Sequence, residues 1–271
     1  MQPGTDTAFT GSVAAFYERY MVPLIFEPYA VDLAARVARF GPRRVLEVAA
    51  GTGVVTRQLA VMLEEGARIV ATDLNPAMVE EAARIGTMRH VEWRQADAMR
   101  LPFESGSCDA VVCQFGVMFL PDRVHALGEM RRVLQPGGLL AFNTWGPIEA
   151  NEFADAVTDA LATVFPDDPP RFMARTPHGY HDPARIARDL AAAGYTRDPA
   201  IESVAFTSRA ASARIAAVAY CQGTPLRGEI EARDPAGLER ATLAAEAELV
   251  RRFGDRSIEG RIEALVVAVV A

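Results

Sequence analysis

The chain contains no lysine: all 28 of its basic residues are arginine. No Schiff-base lysine is available, so lysine-anchored pyridoxal chemistry is excluded, as is a phosphate-binding loop with its Lys. Cysteine is sparse and odd in number. Cys108, Cys113 and Cys221 show no metal-ligand spacing, and the first two lie in an apolar stretch as small core residues. No disulfide framework is implied, which fits a reducing compartment. Residues 1–10 lack the basic start and apolar centre of a secretion signal. The apolar run at 264–271 is too short to cross a bilayer. A cytoplasmic chain without a membrane span is expected. No His, Cys and carboxylate grouping has metal-binding spacing, so no metal is expected. Concentrated positive charge is also missing, since the net charge is −7. That argues against nucleic acid and for a small-molecule substrate. The sequence leaves the oligomeric state open.

What is present is apolar and periodic. Half of the 271 residues are hydrophobic, enough for one large domain with a well-buried core. Short apolar runs alternate with amphipathic stretches. Strands are expected at 44–50, 68–74, 91–96, 109–115 and 139–145, and helices at 54–63, 76–84 and 121–134. Pro76 suits a first helical position, and Pro136-Gly137-Gly138 stops the third helix. This alternation predicts a doubly wound, mostly parallel α/β sheet with right-handed crossovers. Further on, helices are expected at 149–165, 183–193, 210–220 and 238–253, with a Pro-rich loop at 166–179. A strand is expected at 201–207 and a final edge strand at 262–270, giving seven strands with a helical insertion before the last. The basic residues Arg123, Arg131 and Arg132 look like a solvated helix face.

The most informative segment is Val45-Leu46-Glu47-Val48-Ala49-Ala50-Gly51-Thr52-Gly53, a Gly-rich turn between the first strand and first helix. Glycine there lets a ligand approach the backbone, and such sheets bind ligands beyond the carboxyl ends of their strands. Asp73 ends the second strand about 20 residues beyond Gly53, the spacing of a carboxylate that accepts from ribose hydroxyls. Asp97 follows the third strand, where it could accept from an adenine amine. Each residue has a plainer reading: Asp73 as the N-cap of the helix at Pro76, Asp97 as a solvated turn residue, Met78 as core.

Together with Gln95-Ala96-Asp97-Ala98, Asp109-Ala110-Val111-Val112 and Leu134-Gln135-Pro136-Gly137-Gly138, these motifs resemble the class I S-adenosylmethionine methyltransferases. The likeness is greatest to the small-molecule branch related to ubiquinone and menaquinone biosynthesis, and covers about residues 43–145. It implies a Rossmann-like methyltransferase fold with S-adenosylmethionine as cofactor. Residues 1–40 would be an N-terminal helical cap and 41–271 the methyltransferase domain. Within that domain, 41–146 would bind the cofactor, and 147–182 and 208–258 would face the substrate. Glu47 would hold the methionine ammonium, with Gly51 and Gly53 under the methionine portion. Asp73 would bind ribose, Leu74 and Met78 would flank adenine, and Asp97 and the Ala98 amide would meet its edge. The Gln114 carbonyl would face the amino-acid end. Ala49 departs from the glycine common in the family, and is read as tolerated on the expectation of a negative φ.

A nicotinamide-dependent oxidoreductase is the competing reading, but Gly51-Thr52-Gly53-Val54-Val55-Thr56 ends in Thr where the dinucleotide fingerprint has Gly. Glu47 would also repel a pyrophosphate. A non-catalytic nucleoside-binding scaffold is the second alternative. For a methyltransferase the expected reaction is in-line displacement onto O, N or C of a small organic acceptor, where alignment and desolvation supply much of the rate. Tyr17 or Tyr20 could close over the sulfonium, and Phe115, Met118 and Phe119 could line the acceptor pocket. If the acceptor must lose a proton, His178 or His181 is the candidate base.

Overall fold

The computed structural model describes residues 11–271, so the first ten residues of the expected cap lie outside the described residues. Seven strands form one sheet: β1 (Arg44–Val48), β2 (Arg68–Asp73), β3 (Glu92–Gln95), β4 (Cys108–Gln114), β5 (Leu134–Trp145), β6 (Ala200–Ala210) and β7 (Ile258–Val270). Their order is β3-β2-β1-β4-β5-β7-β6. The first five run parallel, and β7 is antiparallel to both β5 and β6. Ala110, Val111, Val112 and Cys113 of β4 are fully buried, as expected of a central strand covered on both faces.

The sheet corrects one expectation. The last strand is not an edge: β7 lies between β5 and β6, and β6 is the edge. The physical signal was in the chain. Ala264-Leu265-Val266-Val267 is a continuous buried run, the mark of a strand enclosed on both faces, whereas β6 is exposed at most positions. β5 also begins earlier than expected, at Leu134, which pairs with Cys108 before a register shift.

Helices pack on both faces. The N-terminal part comprises α1 (Gly11–Phe16), a π-helical segment (Tyr17–Phe26) that contains Pro23, and α2 (Glu27–Phe40). Leu33, Ala34 and Val37 of α2 recur at helical spacing and are fully buried. Gly41, with φ 70°, closes α2 as a left-handed cap. α3 (Val54–Met62) follows β1, and α4 (Pro76–Ile85) follows β2. α5 (Arg123–Val133) starts at Asp122, whose carboxylate accepts from the His125 amide at 3.0 Å. Beyond β5 come α6 (Glu152–Val164), the short α7 (Phe172–Arg175) and α8 (Pro183–Ala192). Between β6 and β7 lie α9 (Ala213–Gln222), α10 (Leu226–Arg233) and α11 (Leu238–Phe253), the expected helical insertion.

Two arginines of α5 are not the solvated face that was expected. Arg132 donates to the Phe103 and Leu101 carbonyls at 2.7 and 2.9 Å and pairs with Glu129, and Arg123 donates to the Met118 carbonyl at 2.8 Å. Strand order reverses between β1 and β4, and at such a switch point the loops diverge to opposite faces and leave a crevice. The Gly-rich turn and the loop after β4 flank it.

Gly260 of β7 faces Phe153 of α6, where an added Cβ would meet the ring at 2.7 Å. Replacing Gly260 with Ala should destabilise the fold by about 1–3 kcal/mol through overpacking. Urea unfolding measures this as a lower midpoint at unchanged slope.

Candidate functional site

The turn after β1 is built by backbone constraints. The Ala50 amide donates to the Thr72 carbonyl at 2.9 Å and the Gly53 amide to the Ala50 carbonyl at 2.9 Å. Gly51 and Gly53 have φ of 56° and 85°, which favours glycine at both. A Cβ at Gly53 would strike the Trp93 indole at 2.7 Å, whereas one at Gly51 would meet nothing within 4 Å. Gly53 is therefore required by packing, and Gly51 leaves open space over the backbone.

Ala49 overturns the expectation of a negative φ. Its φ is 55°, in the left-handed region, where an L side chain costs roughly 1–2 kcal/mol. Its methyl lies 2.6 Å from where a Cβ of Gly116 would stand, so the ends of β1 and β4 touch here and Gly116 cannot bear a side chain.

Two carboxylates meet the turn. Glu47 on β1 is only 1% exposed, and the Thr56 hydroxyl donates to it at 2.6 Å. Burial pushes its pKa up to about 8, against the opposing effects of the Thr56 hydrogen bond and the Arg57 charge. Asp73 accepts from the Gly51 amide on one oxygen and the Asn75 amide on the other, each at 2.8 Å. Desolvation raises its pKa, and the hydrogen bonds of the Asn75 and Gly51 amides oppose the shift. The helix cap is Asn75, whose side chain accepts from the Ala77 amide, so Asp73 is left to brace the turn.

The other expected nucleoside residues lie along the same edge. Leu74 is 53% exposed, while Met78 and Ala98 are buried. Asp97 is exposed and accepts from the Met99 amide at 2.8 Å. Gln114 ends β4, and its side-chain amide reaches the Phe26 carbonyl at 3.3 Å, tying the π-helical segment to the sheet.

Past the switch point the lining becomes aromatic. Phe115, at φ 50°, stacks on Trp145 with ring centroids 3.8 Å apart and planes 6° from parallel. The Asn143 side-chain oxygen accepts from the Phe115 amide at 2.9 Å and holds this strained residue in place. Phe26 and Tyr29 pack on both rings. Met118 is buried, and Phe119 is half-buried against Phe172 at 6.3 Å.

The two tyrosines of the cap separate. Tyr17 packs on Phe26 at 5.1 Å, and burial together with the negative charge of Asp73 and Glu18 raises its phenol pKa. Tyr20 pairs with Phe16 at 4.4 Å, with Arg19 over its ring. The two histidines separate as well. His178 is buried, with its ring 6.0 Å from Trp145 and its Nδ1 2.8 Å from the Gly146 carbonyl. That contact assigns the proton to Nδ1 and leaves Nε2 as an acceptor. Burial pushes the His178 pKa down to about 4, so the ring is neutral at physiological pH. His181 is exposed, its Nδ1 2.6 Å from the His178 carbonyl.

Glu47, Ala49, Gly51, Gly53, Asp73 and Tyr17 thus gather on the β1–β2 side, and Phe115, Trp145 and His178 on the β4–β5 side. Trp145, Asn143 and Arg57 escaped the sequence reading. Trp145 ends β5 as Gln114 ends β4, and that position was its only signal. Among the described residues no group of three His, Cys, Asp or Glu side chains could hold a metal. No helix among them is long and apolar enough to cross a membrane.

A seven-stranded sheet of order 3-2-1-4-5-7-6 with an antiparallel β7 is the fold of the class I methyltransferases. Residues 46–142 match a family model described as a methyltransferase domain. The chain is similar to a demethylmenaquinone methyltransferase of Thermus thermophilus, 44% identical over 123 residues, which cover 44% of this chain and 53% of that protein. The chain therefore spans about half the length of such curated relatives. Among solved structures, a putative methyltransferase of Bacillus halodurans shares the fold at TM-score 0.55 and 19% identity, over 89% of this chain and 97% of that one. The [4+2]-cyclase SpnF shares it at TM-score 0.55 and 17% identity, over 96% of this chain and 94% of that one.

Because Ala49 sits at positive φ, Ala49→Gly should raise stability by about 1 kcal/mol, measured as an increased denaturant midpoint. Glu47 generates a second expectation. Its folded pKa lies above its unfolded value of 4.5, so the stability it contributes is complete below pH 4.5 and is lost as pH rises through about 8. Unfolding free energies of Glu47→Gln measured between pH 5 and 8 should therefore fall less steeply with pH than those of the parent protein.

Proposed function

We propose that this protein transfers a methyl group from S-adenosylmethionine to a small organic acceptor. The observation that carries the proposal is the buried Glu47 carboxyl beside a glycine turn whose Gly51 amide is bridged to Asp73. The residues present fit that group. A carboxylate inside the crevice is what an ammonium needs, and the open space over Gly51 admits a ligand against the backbone. A dinucleotide is disfavoured on the same ground, since a pyrophosphate brings no cation to the buried Glu47 and Thr56 is committed to Glu47.

When bound, S-adenosylmethionine supplies an activated methyl and leaves as a neutral thioether, so no acid is needed for departure. Glu47, as a carboxylate, would hold the ammonium. Asp73, held by two amides, retains lone pairs for ribose hydroxyls. Leu74 and Met78 would flank the adenine, with Asp97 and the Ala98 amide at its edge. The Gln114 carbonyl would face the amino-acid end. Tyr17 would close over the donor, while Phe115, Trp145, Met118 and Phe119 would exclude water from the acceptor. Of the two histidines, His178 is the better placed to accept a hydrogen bond from the acceptor, because its neutral ring lies 6.0 Å from Trp145 whereas His181 is exposed. The cyclase with the same fold supports a second reading, in which the crevice performs other chemistry.

Calorimetric titration with S-adenosylhomocysteine in two buffers of different ionisation enthalpy tests the proposal. At pH 7 binding should release about one proton, as Glu47 passes from carboxylic acid to carboxylate. Asp73→Ala should weaken binding about a hundredfold through loss of its charge-assisted hydrogen bonds. Unchanged affinity in that variant would discard the assignment.

A further inference from the structure

Arg57 lies one turn into α3 and reaches back in two directions. One guanidinium nitrogen donates to the Thr52 carbonyl at 2.8 Å, inside the Gly-rich turn. Another donates to the Glu18 carboxylate at 2.7 Å, on the π-helical segment. Its charge also faces Glu47, whose pKa it draws down. No other ion pair recorded among the described residues ties the π-helical segment to the turn.

We propose that Glu18 and Arg57 form a latch that couples closure of the cap to the cofactor turn, with Arg57 as a positioning residue that sets how long the cofactor stays bound. This rests on the reading of the crevice as an S-adenosylmethionine site. Three features support a latch rather than a permanent joint. First, Glu18 is adjacent to Tyr17, whose ring packs on Phe26 and whose phenol feels the charge of Asp73, so movement of one moves the other. Second, one Glu18 oxygen is buried with no hydrogen-bond partner among the described residues. Closure strips that oxygen of water, and this penalty offsets much of the gain from the ion pair, leaving the closed and open positions close in free energy. Third, the cap backbone here is π-helical, a rare geometry found frequently at functional positions. Arg57 is bonded to the turn whether or not the cap is closed. Opening at the Glu18 end of the segment therefore breaks the Glu18 contact and leaves the turn formed, while Met21, Val22, Leu24, Ile25 and Phe26 stay buried against the sheet.

The latch predicts a kinetic signature. Ligand enters the open form, so association is unaffected, while release waits for opening. Trp93, whose ring packs at Gly53, provides an internal fluorescence probe in the full chain. Stopped-flow measurement with S-adenosylhomocysteine should show release about tenfold faster in Glu18→Gln and Arg57→Met, with association rates within about twofold of the parent. The double variant should release no faster than the faster single variant, because both remove one shared interaction. Unchanged release in both single variants, or fully additive effects, overturns the latch. A loss confined to association overturns it too.

Hydrogen exchange in the unsubstituted protein needs no variant to fold. Amides 17–26 should gain protection when S-adenosylhomocysteine is added, and unaltered exchange there overturns the coupling. The two readings fail differently. Absence of S-adenosylhomocysteine binding by the unsubstituted protein overturns both the donor assignment and the latch, whereas binding with unaltered release in the variants overturns the latch alone.

Discussion

A carboxyl group is held out of water in the middle of the sheet, and much of the site is organised around it. Glu47 sits on β1 next to the switch point, where its partners are the Thr56 hydroxyl and the charge of Arg57. Burying an ionised carboxylate without a full complement of donors costs several kcal/mol, so the group takes up a proton instead. A protein gains nothing from that arrangement in isolation. It becomes sensible if a cation arrives to complete the site, because the desolvated carboxylate then binds that cation far more strongly than a solvated one would. Strain in the surrounding backbone follows the same logic. Ala49 and Phe115 are the two non-glycine residues at positive φ among the described residues, and they stand at the ends of β1 and β4. The two strands converge there on the crevice, and side-chain hydrogen bonds such as Asn143 to Phe115 hold the distortion.

The two sides of the crevice differ in chemistry. The β1–β2 side is polar, with carboxylates, amides and glycine. The β4–β5 side is a wall of stacked rings closed by a neutral histidine. This division suits a donor with charged and hydroxylated ends on one side and an acceptor that must shed water on the other. α2 and the π-helical segment bridge both sides: Phe26 and Tyr29 pack against the Phe115–Trp145 stack, and Gln114 holds the Phe26 carbonyl. The N-terminal helices and the ends of β4 and β5 are consequently packed together, so a change in one is felt by the other.

Much of this was legible in the chain. The parallel core follows from apolar runs alternating with amphipathic ones, and the motif order from Glu47 to Gly138 carried the family resemblance. What escaped depends on contacts distant in sequence. The interior position of β7 was recorded in the unbroken apolar run at 264–267 but was masked by the expectation that a final strand lies at an edge. The positive φ of Ala49 cannot be read from its side chain, because nothing about alanine announces a left-handed backbone. Arg132 looked solvated until the loop carbonyls of Leu101 and Phe103 were brought beside it. Trp145 and Arg57 acquire meaning only when Phe115 and Glu18 arrive from other segments.

The ionisation state of Glu47 is the quantity on which the account turns. Carbon-13 NMR of the glutamate side-chain carboxyls, with Glu47→Gln to assign the resonance, would follow it directly with and without S-adenosylhomocysteine. The account predicts a midpoint near 8 in the free protein and an ionised carboxylate throughout the neutral range once the ligand's ammonium is bound. A Glu47 resonance that titrates near the ordinary glutamate value in the free protein, or that ignores the ligand, would contradict it.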